Sequence, residues 1–243
     1  MEKLDIFPVH GAEEWTAGMD MAAWITARFS LEEGDVVVVS SKAVSKAEGH
    51  MLQQEDLVPS AFAKELADRT GHDPVYCEAV LRESRDIVRM APGVVICRTR
   101  HGFVVANAGV DASNCREGEY AILPPNPDSS AARIRDALAE RTGKQVAVIL
   151  SDTFGRAWRV GQTDLAVGVA GMTPLRNYRG CADRYGRELY WTCLADADEL
   201  ASAAELVRGK ADGVPVVVIR GYCPQGSGSA ADLVMPPERD LFR

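Results

Sequence analysis

The sequence predicts an α+β fold of mixed sheets flanked by helices. Three observations lead there. Short β-branched runs, Val36–Val39 above all, read as strands buried on both faces. Longer stretches with apolar residues three and four apart read as helices. The two kinds of segment do not alternate regularly, which argues against a doubly wound parallel sheet. At 243 residues the chain can bury a substantial core. Residues 1–243 read as a single domain, with a sub-lobe at about 175–210 and no repeat, linker or low-complexity block.

Leu4–Val9 predicts a strand. Thr16–Phe29 predicts a helix, with Met19, Ala22, Trp24, Ile25 and Phe29 as its buried stripe. Val36–Val39 is a strand that empties into the polar run Ser40-Ser41-Lys42. Pro59–Thr70 and Pro74–Ser84 predict two helices opening near prolines, the first stopped by Gly71. Ile87–Arg89, Val94–Thr99 and Phe103–Asn107 predict strands, with turns at Pro92-Gly93 and His101-Gly102. Asp128–Arg141 predicts a helix capped by Asp128 or Ser129 and ended by Gly143. Val146–Leu150, Leu165–Val169 and Val214–Ile219 predict strands, and Asp196–Arg208 an alanine-rich helix. The tail from Cys223 to Arg243, rich in Gly, Ser and Pro, is expected to be partly mobile.

The net charge of −8 and pI near 5.1 argue against nucleic-acid and anionic-membrane partners. Arg82, Arg85, Arg89, Arg98 and Arg100 are dispersed among acidic and apolar neighbours rather than gathered into a patch. The six cysteines lie far apart without CxxC spacing. With no secretory leader in MEKLDIFPV, they read as reduced thiols of a cytoplasmic protein. No apolar run approaches the roughly 20 residues that span a bilayer.

Three polar segments follow the buried runs and could carry chemistry: Ser40-Ser41-Lys42 with Ser45 and Lys46, Asn107–Asn114 around Asp111, and Ser151–Arg156 around Asp152 and Thr153. Two carboxylates and a threonine hydroxyl are hard oxygen donors suited to Mg²⁺ or Mn²⁺, although each Asp could equally cap a turn. Lys42 and Lys46 could pair with a phosphate as point charges, or simply be solvated. Ser41 could donate to a phosphate or to a strand end. Asn107 and Asn114 could bond a base or ribose, or hold the turn. Arg156, Arg159 and Arg176 could clamp a carboxylate substrate or lie on the surface. There is no Walker-type glycine loop. Gly226–Ala231 matches G-x-G-x-x-A without room for a βαβ unit. The four histidines are isolated.

As a set, GDVVVVSSKAVSKAEG (34–49), AVLRES (79–84), HGFVVANAGVDASN (101–114), LPPNPDSSAARIR (123–135), SDTFGRAWRVGQTDLAVGVAG (151–171), LRNYRG (175–180) and DELASAAELVRGKADGVPVVVIRG (198–221) resemble the coenzyme F420-0:L-glutamate ligase family, the middle section looking closest to bacterial members. The resemblance implies that family's α+β fold, usually as an intertwined homodimer. It implies GTP-dependent addition of L-glutamate to the F420 precursor, with Mn²⁺ or Mg²⁺ and often a monovalent cation such as K⁺. Carried onto this chain, Asp111, Asp152 and Thr153 look like metal ligands. Ser41, Lys42, Lys46 and Asn114 look like nucleotide contacts, as does the loop Arg208-Gly209-Lys210 through Gly213. Asp111, Asp152 and Lys46 look catalytic.

Three departures stand out. A GLPEI-like segment of the family reads Gly11-Ala12-Glu13-Glu14-Trp15 here. Lys210 stands where some members have an acidic or amide residue; a protonated lysine cannot ligate a metal, but it can contact a phosphate. The flavin-binding domain fused to many bacterial members is absent from the sequence. Competing readings are a related amide ligase with another carboxylate acceptor, a non-catalytic nucleotide- or metal-binding protein, and a phosphohydrolase.

Overall fold

A computed structural model describes residues 3–12 and 14–241; Glu13 of the Gly11–Trp15 segment and the last two residues of the tail lie outside it. In chain order the elements are β1 (Asp5–Val9), α1 (Met21–Thr26), β2 (Val36–Ser40), α2 (Ser41–Glu48), β3 (Met51–Gln53), α3 (Ala61–Thr70), α4 (Pro74–Glu83), β4 (Ser84–Ala91), β5 (Val94–Thr99), β6 (Val104–Ala106), β7 (Glu119–Ala121), α5 (Pro127–Thr142), β8 (Ala147–Arg156), β9 (Arg159–Ala170), β10 (Arg176–Asn177), β11 (Cys193–Leu194), α6 (Asp196–Arg208) and β12 (Val216–Arg220). This is the expected α+β class.

The central sheet has the order β1-β12-β2-β8-β9. Only β2 and β8 pair in parallel, Val36–Val39 lying against Ala147–Leu150. All eight of those side chains are fully buried. Successive side chains point to opposite faces, so both faces of the sheet are covered. Helices α5 and α6 pack on it, and α1 packs on α5. A second apolar cluster holds Leu66, Val80, Val95, Cys97, Val110 and Tyr120, beneath α3, α4 and the sheet β4-β5-β6.

The structure corrects several sequence-based boundaries. The helix expected over Thr16–Phe29 is confined to Met21–Thr26. Asp20 caps it by accepting from the Ala23 amide (2.8 Å), and the preceding residues form a turn at Gly18, whose φ is 86°. Phe29 nevertheless packs, its ring 5.5 Å from that of Phe7. The polar run after Val39 is a helix, α2, closed by Gly49 in the left-handed region. The cap of α5 is Asn126, which accepts from the Ser129 amide, with Pro127 in the first turn. Asp128 instead accepts from the amides of Val169 and Ala230 and from the Ser229 hydroxyl. These bonds, a capping box at Ser229–Asp232 and the burial of Ala230 anchor the middle of the tail that composition predicts to be partly mobile.

Strand β8 does not stop at Leu150. It runs on to Arg156 as a long hairpin with β9, so Asp152 and Thr153 lie within a strand, opposite Leu165 and Asp164. The hairpin tip carries exposed Trp158 and Val160. At its base Gly168 lets α5 approach closely: a Cβ there would lie 2.6 Å from the Pro127 carbonyl oxygen and 2.7 Å from its carbon. Gly168→Ala is therefore expected to destabilise the fold by about 1–3 kcal/mol. Urea denaturation measures this, and an unchanged midpoint would contradict the close approach.

Candidate active site

The parallel pair β2 and β8 delivers the first polar groups. Strand β2 passes into α2 with no connecting loop, Ser40 being its last residue and Ser41 the first of the helix. Lys42 and Lys46 are one helical turn apart and so lie on one face of α2. The Lys42 ammonium donates to Asp111 Oδ2 (2.6 Å), the Ser113 carbonyl (2.7 Å) and the Ser113 hydroxyl (2.8 Å). The Lys46 ammonium is nearly buried and bonds Glu14 and the Asn114 carbonyl.

Asp111 follows a tight turn, Asn107-Ala108-Gly109, with φ of 51°, 54° and 73°. Two non-glycine residues in the left-handed region store backbone strain. The Asn107 side chain accepts from the Val95 amide (3.0 Å), so it holds the turn. The Tyr76 hydroxyl donates to the Val110 carbonyl (2.8 Å). Burial, with the charge of Asp111, pushes that phenol up to about 12. The turn presses toward Asp152: a Cβ on Gly109 would sit 3.8 Å from Asp152 Oδ2.

Electrostatics separate three carboxylates along one wall. Burial opposes ionisation of Asp111, but the Lys42 ammonium and the Ser113 amide outweigh it and hold the group below the ordinary carboxylate range. Asp164 is buried as well. Arg208 first, then Thr153 and Lys210, bring it below that range. Asp152 behaves oppositely. Its carboxyl group is enclosed, though the residue keeps some surface on the cavity, and burial with the charges of Asp164 and Asp111 raises it to about 6. The Thr153 amide and the Ser41 hydroxyl only partly offset this. Among the described residues, Asp152 has no ion-pair partner.

A cavity of about 730 Å³ joins these groups. Asp111, Asp152, Thr153, Lys42, Lys46, Asn114, Arg208, Gly209, Lys210 and Gly213 all line it. Ser41 is buried behind Asp152. Arg208 is only 6% exposed; one guanidinium nitrogen donates to Ser151 and Asp164, and the other to the Val38 carbonyl. The Thr153 hydroxyl donates to Asp164 (2.8 Å) and accepts from Lys210. Arg156 and Arg176 are engaged elsewhere, with the Val160 carbonyl and Asp196. Glu14, from the divergent Gly11–Trp15 segment, also lines the cavity, as does Asp164, which is not among the sequence candidates. The signal for Asp164 is an acid standing directly before the apolar stretch that begins at Leu165 in β9.

Among the described residues no three or more His, Cys, Asp or Glu side chains converge on a metal position. A divalent ion escorting a polyphosphate needs only one or two carboxylates, with water and phosphate completing the sphere. Asp111 and the uncompensated Asp152 fit that need. Thr153, already bonded on both sides, fits it less well.

Carboxylates and ammonium groups gathered on one cavity, with Lys42 bonded directly to Asp111, are the residue types of an enzyme site. Comparison with known proteins gives the particular case: the chain belongs to the F420-0:Gamma-glutamyl ligase family, whose match covers residues 11–221. Relatives named coenzyme F420:L-glutamate ligase align with it along most or nearly all of its length. That of Methanothermobacter thermautotrophicus is 46% identical over 97% of this chain and 95% of its own length. Those of Methanocaldococcus jannaschii and Methanopyrus kandleri are each 45% identical, over 90% and 99% of this chain and 88% and 98% of their own lengths. All three organisms are archaea, so the expected closeness to bacterial members is not borne out. No helix among the described residues is long and apolar enough to cross a membrane.

Proposed function

We propose that the chain is a GTP- and metal-dependent ligase that joins L-glutamate to coenzyme F420-0 through an amide bond. Family membership and the names of its relatives support the reaction class. The observation that carries the rest is the convergence of Asp111 and Asp152 with Lys42 and Lys46 on one cavity. A carboxylate and an amine do not condense unaided in water. The acceptor carboxylate would attack the γ-phosphate of GTP, giving an acyl phosphate and GDP. The glutamate amine then attacks the acyl carbon and phosphate leaves.

Asp111 and Asp152 would hold Mg²⁺ or Mn²⁺, which when bound neutralises phosphate charge and aligns in-line transfer. Lys42 and Lys46 would exchange their present partners for phosphate oxygens, with Asn114 and the turn from Gly209 to Gly213 alongside the nucleotide. Glu14 and Trp15 line the same cavity, so the divergent Gly11–Trp15 segment is positioned to alter acceptor or nucleotide choice. That placement favours, as a second reading, a related carboxylate as acceptor.

The reading places the enzyme in the cytoplasm, where free thiols such as these six stay reduced. Exposed Trp158, Val160, Tyr185, Tyr190 and Trp191 offer apolar surface for a second copy, which supports a homodimer.

The test is incubation with F420-0, L-glutamate, GTP and Mn²⁺, read by mass. The expected product is the acceptor plus one or more glutamyl units, with GDP and phosphate released in equal amounts. Phosphate release with an unchanged acceptor would point to another carboxylate. Intact GTP with an unchanged acceptor would sink the ligase reading.

A further inference from the structure

The ammonium of Lys210 sits inside a ring of protein oxygens. It donates to Asp164 Oδ1 at 3.0 Å, to Glu205 Oε1 at 2.8 Å and to the Thr153 hydroxyl. A lysine ammonium has three N–H donors, so all three are used and none is left for a phosphate. The ring is itself held in place. The other oxygen of Glu205 accepts from the Asp164 amide at 2.8 Å. The other oxygen of Asp164 accepts from Arg208 at 2.8 Å and Ser151 at 3.1 Å. Thr153 donates its own proton to Asp164. Two fixed carboxylates and a hydroxyl around one point are the donor set of a hard cation. Here a side chain of the protein fills it.

We propose that Lys210 is a tethered cation, its ammonium occupying the oxygen ring of Thr153, Asp164 and Glu205 in place of a free metal ion or K⁺. Thr153 of the ring directly follows Asp152 on β8, and both residues line the same cavity. A fixed positive charge there compensates Asp164 and Glu205 without an ion from solution, leaving one divalent site at Asp111 and Asp152. This assignment rests on the reading of those two aspartates as divalent-ion ligands, and it adds that the chain has no second ion site and no need of K⁺. Glutamine at position 210 would remove the charge but keep a polar chain. The Lys210 side chain is 56% exposed, so the vacated ring would be open to an ion from solution.

Mn²⁺ binding to the whole chain, without nucleotide, is followed by the loss of the free-ion electron paramagnetic resonance signal. The wild type is expected to bind one Mn²⁺ per chain, and Lys210→Gln two. The second should be lost again in Lys210→Gln/Glu205→Gln, while Lys210→Arg stays at one. A Lys210→Gln variant that binds no more Mn²⁺ than the wild type overturns the tethered cation. A wild type that binds none, beside a variant that gains one, upholds the tether and removes the Asp111–Asp152 site instead. Should Lys210→Gln fail to fold, the wild type still decides. Two Mn²⁺ per chain, or a melting temperature and GTP affinity that rise on replacing Na⁺ with K⁺, overturns the proposal; one ion and indifference to K⁺ supports it.

Discussion

Asp152→Asn is expected to cut ligation by about a hundredfold to a thousandfold while making the metal-free protein more stable at neutral pH. The activity loss follows from removing a pre-placed charge at the phosphoryl-transfer site, where one such group is worth about 10²–10³ in rate. The gain in stability follows from the same carboxylate. Its folded-state value is raised to about 6 from 3.8. The folded protein therefore holds this proton where the unfolded chain has released it. The sign is fixed by that difference. Stability from this group is fully present below about pH 4, falls as pH rises, and is lost once pH passes about 6. Two units correspond to about 3 kcal/mol at the limit, and relaxation of the apo site will reduce this to about 1–3 kcal/mol. Asparagine does not titrate and removes the penalty. Thermal unfolding in chelator at pH 5 and pH 7, beside a turnover assay, separates the two effects. Near-normal turnover would remove Asp152 from the catalytic machinery. A lower melting temperature at both pH values would show that the carboxylate is structural.

Arg208→Leu is expected to destabilise the fold by about 3–5 kcal/mol, the usual cost of stranding one partner of a buried ion pair. Asp164 is 2% exposed and Arg208 6%. Their 2.8 Å contact sits beside Ser151, under the cavity wall. Lys210 would still reach Asp164, but from the solvent side and onto the other carboxylate oxygen. Adding Asp164→Asn to Arg208→Leu should recover most of the loss, because the uncompensated charge is then gone. Urea denaturation of the single and double variants measures the coupling. If the double variant is no more stable than Arg208→Leu alone, the damage comes from lost packing rather than from the charge.

Much of this was legible from residue pattern. Val36–Val39 reads as a buried strand because four β-branched residues in a row have no polar face to offer. Asp196–Arg208 reads as a helix because its alanines and leucines recur at helical spacing, and its bounds are those observed. The convergence of Asp111, Asp152 and Lys42 came from the resemblance rather than from spacing, since 69 residues separate Lys42 from Asp111. What stayed hidden depends on distant partners. Helix α2 reads as the polar end of a strand because its first turn is serine and lysine. Only its junction with the buried end of β2 and the stop at Gly49 make it a helix. Asp164 gave little away because its partner Arg208 lies 44 residues downstream. The supposed caps of α5 failed for a related reason: Asp128 was spent on anchoring β9 and the tail, leaving Asn126 to cap.

The two acidic groups of the cleft belong to different packed bodies. Asp152 rides on the central sheet between buried Leu150 and Phe154, whereas Asp111 follows Val110 out of the smaller cluster under α3 and α4. A ligand that grips both would act as a stitch across the seam. Its binding energy would then tie the smaller packed cluster to the larger, so the filled enzyme should come apart more abruptly than the empty one.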